Sequence, residues 1–185
     1  MRYSGTSETG WQGKPMSDSE KIELKKQTAY DFIFESLKGE PMPLEDFAGR
    51  PLLIVNTASK CGFTPQYKEL EAIWRKYADD GLVVIGVPSN DFANQEPGNA
   101  AEIENFCEIN FGVDFPLTEK VHVKGSQAHP LFQWLAKQGG ILSKPRWNFY
   151  KYVIGRDGKL VDWFASTTTP GSAKVERALK KALGE

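Results

Sequence analysis

The sequence predicts an α/β domain: a central mixed sheet flanked by helices, entered through an N-terminal β-hairpin and interrupted by an inserted helix. Three observations carry that expectation. Residues 52–57 and 82–87 are short runs of mostly branched apolar residues, as in strands buried on both faces. Between them Tyr67, Leu70, Ile73, Trp74 and Tyr77 recur at helical spacing. Near the C-terminus, Gly155-Arg156-Asp157-Gly158 separates two further strand-like runs with turn residues. A strand–helix–strand unit places its strands side by side and parallel. The hairpin adds antiparallel partners.

The elements follow in order. Residues 30–37 alternate loosely, and Lys38-Gly39-Glu40-Pro41 marks a turn, which predicts a small hairpin followed by a turn of helix at 44–49. The strand over 52–57 leads through a loop to Thr64-Pro65, where Thr is expected as N-cap and Pro at the first helical position. Asp79-Asp80-Gly81 ends that helix. Residues 88–98 form a polar loop leaving the second buried strand. Helices are expected over 100–110 and 131–138, a hairpin over 150–165 and an amphipathic helix over 172–183. This order matches an elaborated thioredoxin-like fold.

Composition narrows the function. The 185 residues are 40% hydrophobic and 25% charged, as in an ordinary water-soluble domain. A net charge of −1 offers no electrostatic case for nucleic acid or an anionic membrane as main partner. No apolar run approaches the roughly 20 residues of a membrane span. Two cysteines do not make a secreted disulfide scaffold, so a reducing cytoplasm with thiol chemistry is expected. Residues 1–15 are polar, rich in Gly, Ser and Thr, and read as a disordered extension ahead of a single domain over 16–185. A docked arm using Tyr3 and Trp11 is the alternative.

The chemistry concentrates at Cys61. A thiol just before a helix faces unpaired backbone N–H groups and the positive end of the helix dipole, both of which favour thiolate. The motif Cys61-Gly62-Phe63-Thr64 is C-x-x-T, so no neighbouring thiol can resolve a mixed disulfide locally. A lone nucleophilic thiolate fits better than a disulfide reductase. Loops at the carboxyl ends of parallel strands are where chemistry gathers in open α/β sheets, and the 88–98 loop shares that edge.

Three segments together resemble the glutathione peroxidase family. They are Asn56-Thr57-Ala58-Ser59-Lys60-Cys61-Gly62-Phe63-Thr64-Pro65-Gln66-Tyr67, the loop from Pro88-Ser89-Asn90-Asp91-Phe92 to Gln95-Glu96-Pro97-Gly98, and Trp147-Asn148-Phe149. The resemblance implies a peroxidatic Cys61, with Gln95, Trp147 and Asn148 as the rest of a catalytic tetrad. Their amide and indole groups are neutral donors suited to a thiolate and to polarised peroxide oxygens. It also implies that Cys107 is the resolving cysteine of the two-cysteine members, which rearrange the helix carrying it and are reduced by thioredoxin. The chain lacks the insertion and the arginine cluster of oligomeric, glutathione-using members. A monomer with no cofactor, recycled by thioredoxin rather than glutathione, is thus implied. Many members carry another cysteine where this chain has Ser89.

Plainer readings stand beside these. Cys107 also reads as an apolar residue of its helix, Trp147 as ordinary packing and Gln95 as a solvated loop amide. His122 and His129 read as surface or helix-start residues, and the scattered Cys and His give no support for a metal site. Lys60 adds positive potential or points to solvent. Phe63, Phe92 and Phe149 are candidates for an apolar rim that receives lipid hydroperoxides. The expected activity is reduction of hydrogen peroxide or organic hydroperoxides, an antioxidant role. A peroxide sensor that hands oxidation to a partner protein is the alternative, and the same motifs serve both.

Overall fold

The structure, a computed structural model, describes residues 17–19, 22 and 27–185. The extension expected over 1–15 lies outside the described residues. The first pair of strands, β1 (Ile33–Glu35) and β2 (Pro41–Pro43), is antiparallel and precedes a short 3₁₀ turn at Leu44–Phe47. Then follow β3 (Leu52–Thr57), α1 (Gln66–Tyr77), β4 (Val83–Pro88), α2 (Ala100–Phe111), α3 (Pro130–Gly139), β5 (Lys151–Ile154), β6 (Leu160–Phe164) and α4 (Ala173–Leu183).

The main sheet has the order β4-β3-β5-β6. Strand β3 runs parallel to β4, with Leu52 opposite Val83 and Thr57 opposite Pro88. It runs antiparallel to β5, with Leu52 opposite Ile154 and Val55 opposite Lys151. The sheet is therefore mixed, as the two kinds of connection require. One geometric consequence positions the site. The carboxyl ends of β3 and β4 and the amino end of β5 all emerge at the same edge.

Every residue of β3, β4 and β5 is buried, because helices cover both faces. Successive side chains of a strand point to opposite faces. Leu53 and Val55 accordingly pack with Tyr67, Leu70, Val175 and Leu179 of α1 and α4. Leu52 and Ile54 pack with Leu131, Phe132 and Leu135 of α3 and with Phe34 of the hairpin. Truncating a fully buried leucine of β3 to alanine costs about 2–5 kcal/mol in such a core.

The β5–β6 turn also anchors the start of the domain. Gly158 has φ +74°, and a Cβ there would stand 2.7 Å from the Thr28 Cβ, so only glycine fits. Its carbonyl accepts the Ala29 N–H at 2.8 Å. His129 opens α3 as the helix-start reading expects: Nδ1 accepts the Leu131 N–H at 3.2 Å and Nε2 meets the Ile33 carbonyl at 2.8 Å. Its ring stacks on Phe34 with centroids 3.9 Å apart. Burial lowers its pKa, in keeping with a neutral imidazole that donates on one side and accepts on the other. No helix among the described residues is long and apolar enough to cross a membrane.

Candidate active site

Cys61 sits in the tight connection between β3 and α1, and Thr64 shapes that connection. The Thr64 hydroxyl donates to the Ala58 carbonyl at 2.8 Å and accepts the Cys61 N–H at 3.0 Å. Thr64 is thus not the N-cap expected for α1. Its hydroxyl is spent on the loop, and Pro65 takes the cap position with no side-chain bond. The Phe63 N–H points at Cys61 Sγ, 3.4 Å away. A backbone N–H aimed at sulfur holds a negative charge there better than a neutral thiol. Cys61 is a free thiol, 8% exposed. Lys60 beside it is exposed.

The loop after β4 reaches the same edge. Its Ser89 N–H donates to the Thr57 carbonyl at 3.0 Å, and the Gln95 carbonyl accepts the Lys60 N–H at 3.0 Å. Ala93 and Asn94 adopt positive φ of 52° and 53°, turning the chain so that Gln95 comes back toward Cys61. The loop is braced by the Asp91 carboxylate, which accepts the Val123 N–H at 2.7 Å and meets His122 Nδ1 at 2.6 Å. His122 is therefore a bracing surface residue, not a base of the site. Glu96 is buried, and burial raises the pKa of its carboxyl.

The third segment precedes β5. Asn56, the one amide in the buried strand β3, holds it: Nδ2 donates to the Trp147 carbonyl at 3.0 Å and Oδ1 accepts the Tyr150 N–H at 2.9 Å. The Asn56 carbonyl accepts the Phe149 N–H at 2.6 Å. Phe149 adopts φ +64°, a left-handed conformation that is strained for a bulky aromatic residue. That turn delivers Asn148, wholly buried, to the second loop, where its Nδ2 donates to Gln95 Oε1 at 2.9 Å. With its oxygen so occupied, the Gln95 amide keeps its N–H groups for another acceptor. Trp147 is half-buried and lies 5.8 Å from the Phe92 ring, centroid to centroid.

Three of the expected site residues thus come together by contact or chain neighbourhood: Gln95, Trp147 and Asn148. One backbone bond, from the Lys60 N–H, ties Gln95 to the residue before Cys61. The expected aromatic rim is not there. Phe149 is fully buried, edge-on to Tyr67 at 5.4 Å, and Phe92 is 4% exposed beneath Trp147. Only Phe63 remains partly exposed. Sequence reading missed Asn56. Its signal was present: a carboxamide ending an otherwise apolar buried run has to find partners for its polar atoms.

Cys107 lies on α2, 1% exposed, and burial pushes its thiol up to about 11. The buried Tyr67 hydroxyl faces it, with Thr57 as its other polar neighbour. Helix α2 is closed at both ends. Asn99 and Glu102 form a capping box, and Gly112 supplies a left-handed C-cap. Only Ile103 and Cys107 of its twelve residues are buried. A cleft of about 410 Å³ separates α2 from the Cys61 loop, lined by Ser59, Lys60, Glu96, Ile103 and Phe106 among others. Among the described residues, no cluster of three or more His, Cys, Asp or Glu side chains is placed to hold a metal.

A thioredoxin-like fold with one cysteine at the strand–helix junction, a backbone N–H aimed at its sulfur and the Gln95–Asn148 pair on loops at the same edge, defines a thiol-dependent oxidoreductase. The family model for glutathione peroxidase matches residues 29–136. The chain is 46% identical to hydroperoxy fatty acid reductase gpx1 of Synechocystis over 82% of its length and 96% of the relative's. It is 44% identical to the glutathione peroxidase-like peroxiredoxin HYR1 of Saccharomyces cerevisiae, over 78% of its length and 91% of the relative's. The crystal structure of Trgpx in apo form superposes with a TM-score of 0.70 at 35% identity, covering 86% of this chain and 97% of that one. The chain belongs to the glutathione peroxidase family and is a peroxidase.

Proposed function

We propose that the chain reduces hydroperoxides through Cys61 and is recycled by thioredoxin. The Cys61 thiolate attacks one peroxide oxygen. The O–O bond breaks, the sulfur becomes a sulfenic acid, and the other oxygen leaves, once protonated, as water or an alcohol. Gln95, Trp147 and Asn148 serve as donors to the sulfur and to the polarised oxygens. The observation that carries this reading is the Asn148–Gln95 hydrogen bond at 2.9 Å, which joins two remote loops beside the Cys61 turn.

The Cys107 thiol then displaces hydroxide from the sulfenic sulfur, giving a disulfide and water. Thioredoxin reduces that disulfide by exchange, taking the two electrons' worth of oxidation as its own disulfide. Cys107 reaches Cys61 by a local opening of α2, which exposes the buried Ile103 and Cys107 and the half-buried Phe106 and Phe111. The peroxiredoxin name of the yeast relative and the fatty acid hydroperoxide of the Synechocystis relative support this donor and this substrate class. The cytoplasm, where both thiols stay reduced, is the proposed location, and a monomer the proposed form.

A peroxidase assay run separately with thioredoxin and with glutathione tests the reading. Steady turnover with thioredoxin and little with glutathione is the expected result. Turnover with glutathione alone would move the reductive step to an external thiol.

A further inference from the structure

Beneath the Trp147–Phe149 turn lies a fully buried lysine that no step of the peroxidase cycle uses. Lys151 opens β5 and is 0% exposed. Its Nζ donates to the Phe149 carbonyl at 2.5 Å and to Gln66 Oε1 at 2.8 Å. Gln66, the first residue of α1, donates through Nε2 to the Ser166 carbonyl at 2.7 Å. The Ser166 hydroxyl donates to the Asn148 carbonyl at 2.5 Å. The chain of bonds leaves the turn at one carbonyl and returns at the next.

We propose that Lys151, through Gln66 and Ser166, is a positioning residue that holds the left-handed turn at Phe149 and so keeps Asn148 on Gln95. The two carbonyls it secures flank the Phe149 Cα, so fixing both fixes φ and ψ of that residue. Asn56 holds the opposite side of the same turn through the Trp147 carbonyl and the Phe149 and Tyr150 N–H groups. A strained conformation persists only where its surroundings over-determine it, and here five backbone groups are taken. A buried cation is an expensive way to fill this space, since its two partners are neutral oxygens. The one carboxylate acting on it, Glu69, is at a distance and accepts the Gly171 N–H at 2.6 Å instead. Burial lowers the Lys151 pKa to about 7, yet the neutral amine keeps enough N–H groups for both acceptors. The fit of donors to the turn, not ion pairing, accounts for a lysine here.

The inference rests on Asn148 acting at Cys61, and a mutant cycle separates the two. Lys151→Met and Ser166→Ala are each made in the wild-type chain and in an Asn148→Ala chain. The rate of Cys61 oxidation by hydrogen peroxide is followed by stopped flow in all of them. In the wild-type background Lys151→Met is expected to slow oxidation about tenfold or more, and Ser166→Ala by about threefold. In the Asn148→Ala background neither should change the rate more than about twofold, because the positioned group is gone. Equal losses in both backgrounds, or wild-type rates in the single variants, overturn the inference alone. Full activity of Asn148→Ala overturns the site reading and the inference with it. Should Lys151→Met fail to fold, Ser166→Ala decides by the same criteria.

Discussion

Cys61 and Cys107 belong to the same buried cluster, yet their surroundings are opposites. The Cys61 turn is irregular backbone tied down residue by residue: Thr64 bonds to Ala58 and Cys61, Lys60 to Gln95, and the Phe63 N–H to the sulfur. Cys107 sits in a regular, well-capped helix against Tyr67, its thiol held neutral by burial. The contrast separates two ways of handling a reactive group. In the proposed cycle one thiol is positioned for attack in the folded state. The other is stored there, and its chemistry waits on a local opening.

The harshest way to break this comparison is to remove one sulfur at a time. Cys61→Ser should abolish peroxide consumption, a loss of at least about a thousandfold. If consumption persists, the nucleophile is elsewhere. Cys107→Ser should leave the first oxidation at wild-type rate in a single-turnover measurement while thioredoxin-driven cycling stops. Undiminished cycling in that variant would show that Cys107 is only packing.

Protonation offers a gentler probe. Folding raises the Cys107 pKa from its ordinary 9.0 to about 11, chiefly through burial. The unfolded thiol therefore loses its proton first, and the stability this group contributes below pH 9 is lost as pH rises toward 11. Lys151 acts in the other direction. Its amine falls from 10.5 to about 7, so the unfolded state holds the extra proton, and its burial cost fades as pH rises from 7 to 10.5. Denaturant melts at pH 8 and pH 11 on wild type and Cys107→Ser cancel the lysine. The wild type should lose about 2 kcal/mol more than the variant. Equal losses would mean that the thiol is not held neutral.

The smallest effect sharpens the idea of a stored thiol. Asn99→Ala removes the N-cap of α2, worth about 1 kcal/mol, without touching the Cys61 turn. If opening of α2 limits disulfide formation, that step should quicken about fivefold while Cys61 oxidation is unchanged. An unchanged or slower disulfide step would place the limit outside the helix.

Much of the frame was legible in the residues. The apolar runs at 52–57 and 82–87 became β3 and β4, the latter shifted by one residue, and Asp157-Gly158 did make the hairpin turn. In the sequence Thr64 has the place of a cap, because Ser or Thr before Pro usually is one. It serves the loop instead, since the Cys61 N–H is the nearer buried donor needing a partner. The aromatic rim failed for a similar reason: Phe149 is forced inward by the backbone that presents Asn148.

Periodicity, branched runs and turn residues are local signals, and local physics decides whether a segment becomes strand, helix or turn. They determined the order of elements and put Cys61 at a strand–helix junction. Who meets whom across the edge is another matter. Asn148 finds Gln95 from 53 residues away, and Lys151 finds Gln66 from 85. Those partners are chosen by buried polar atoms that must be satisfied once β5 has paired with β3. Only the folded sheet brings them within reach.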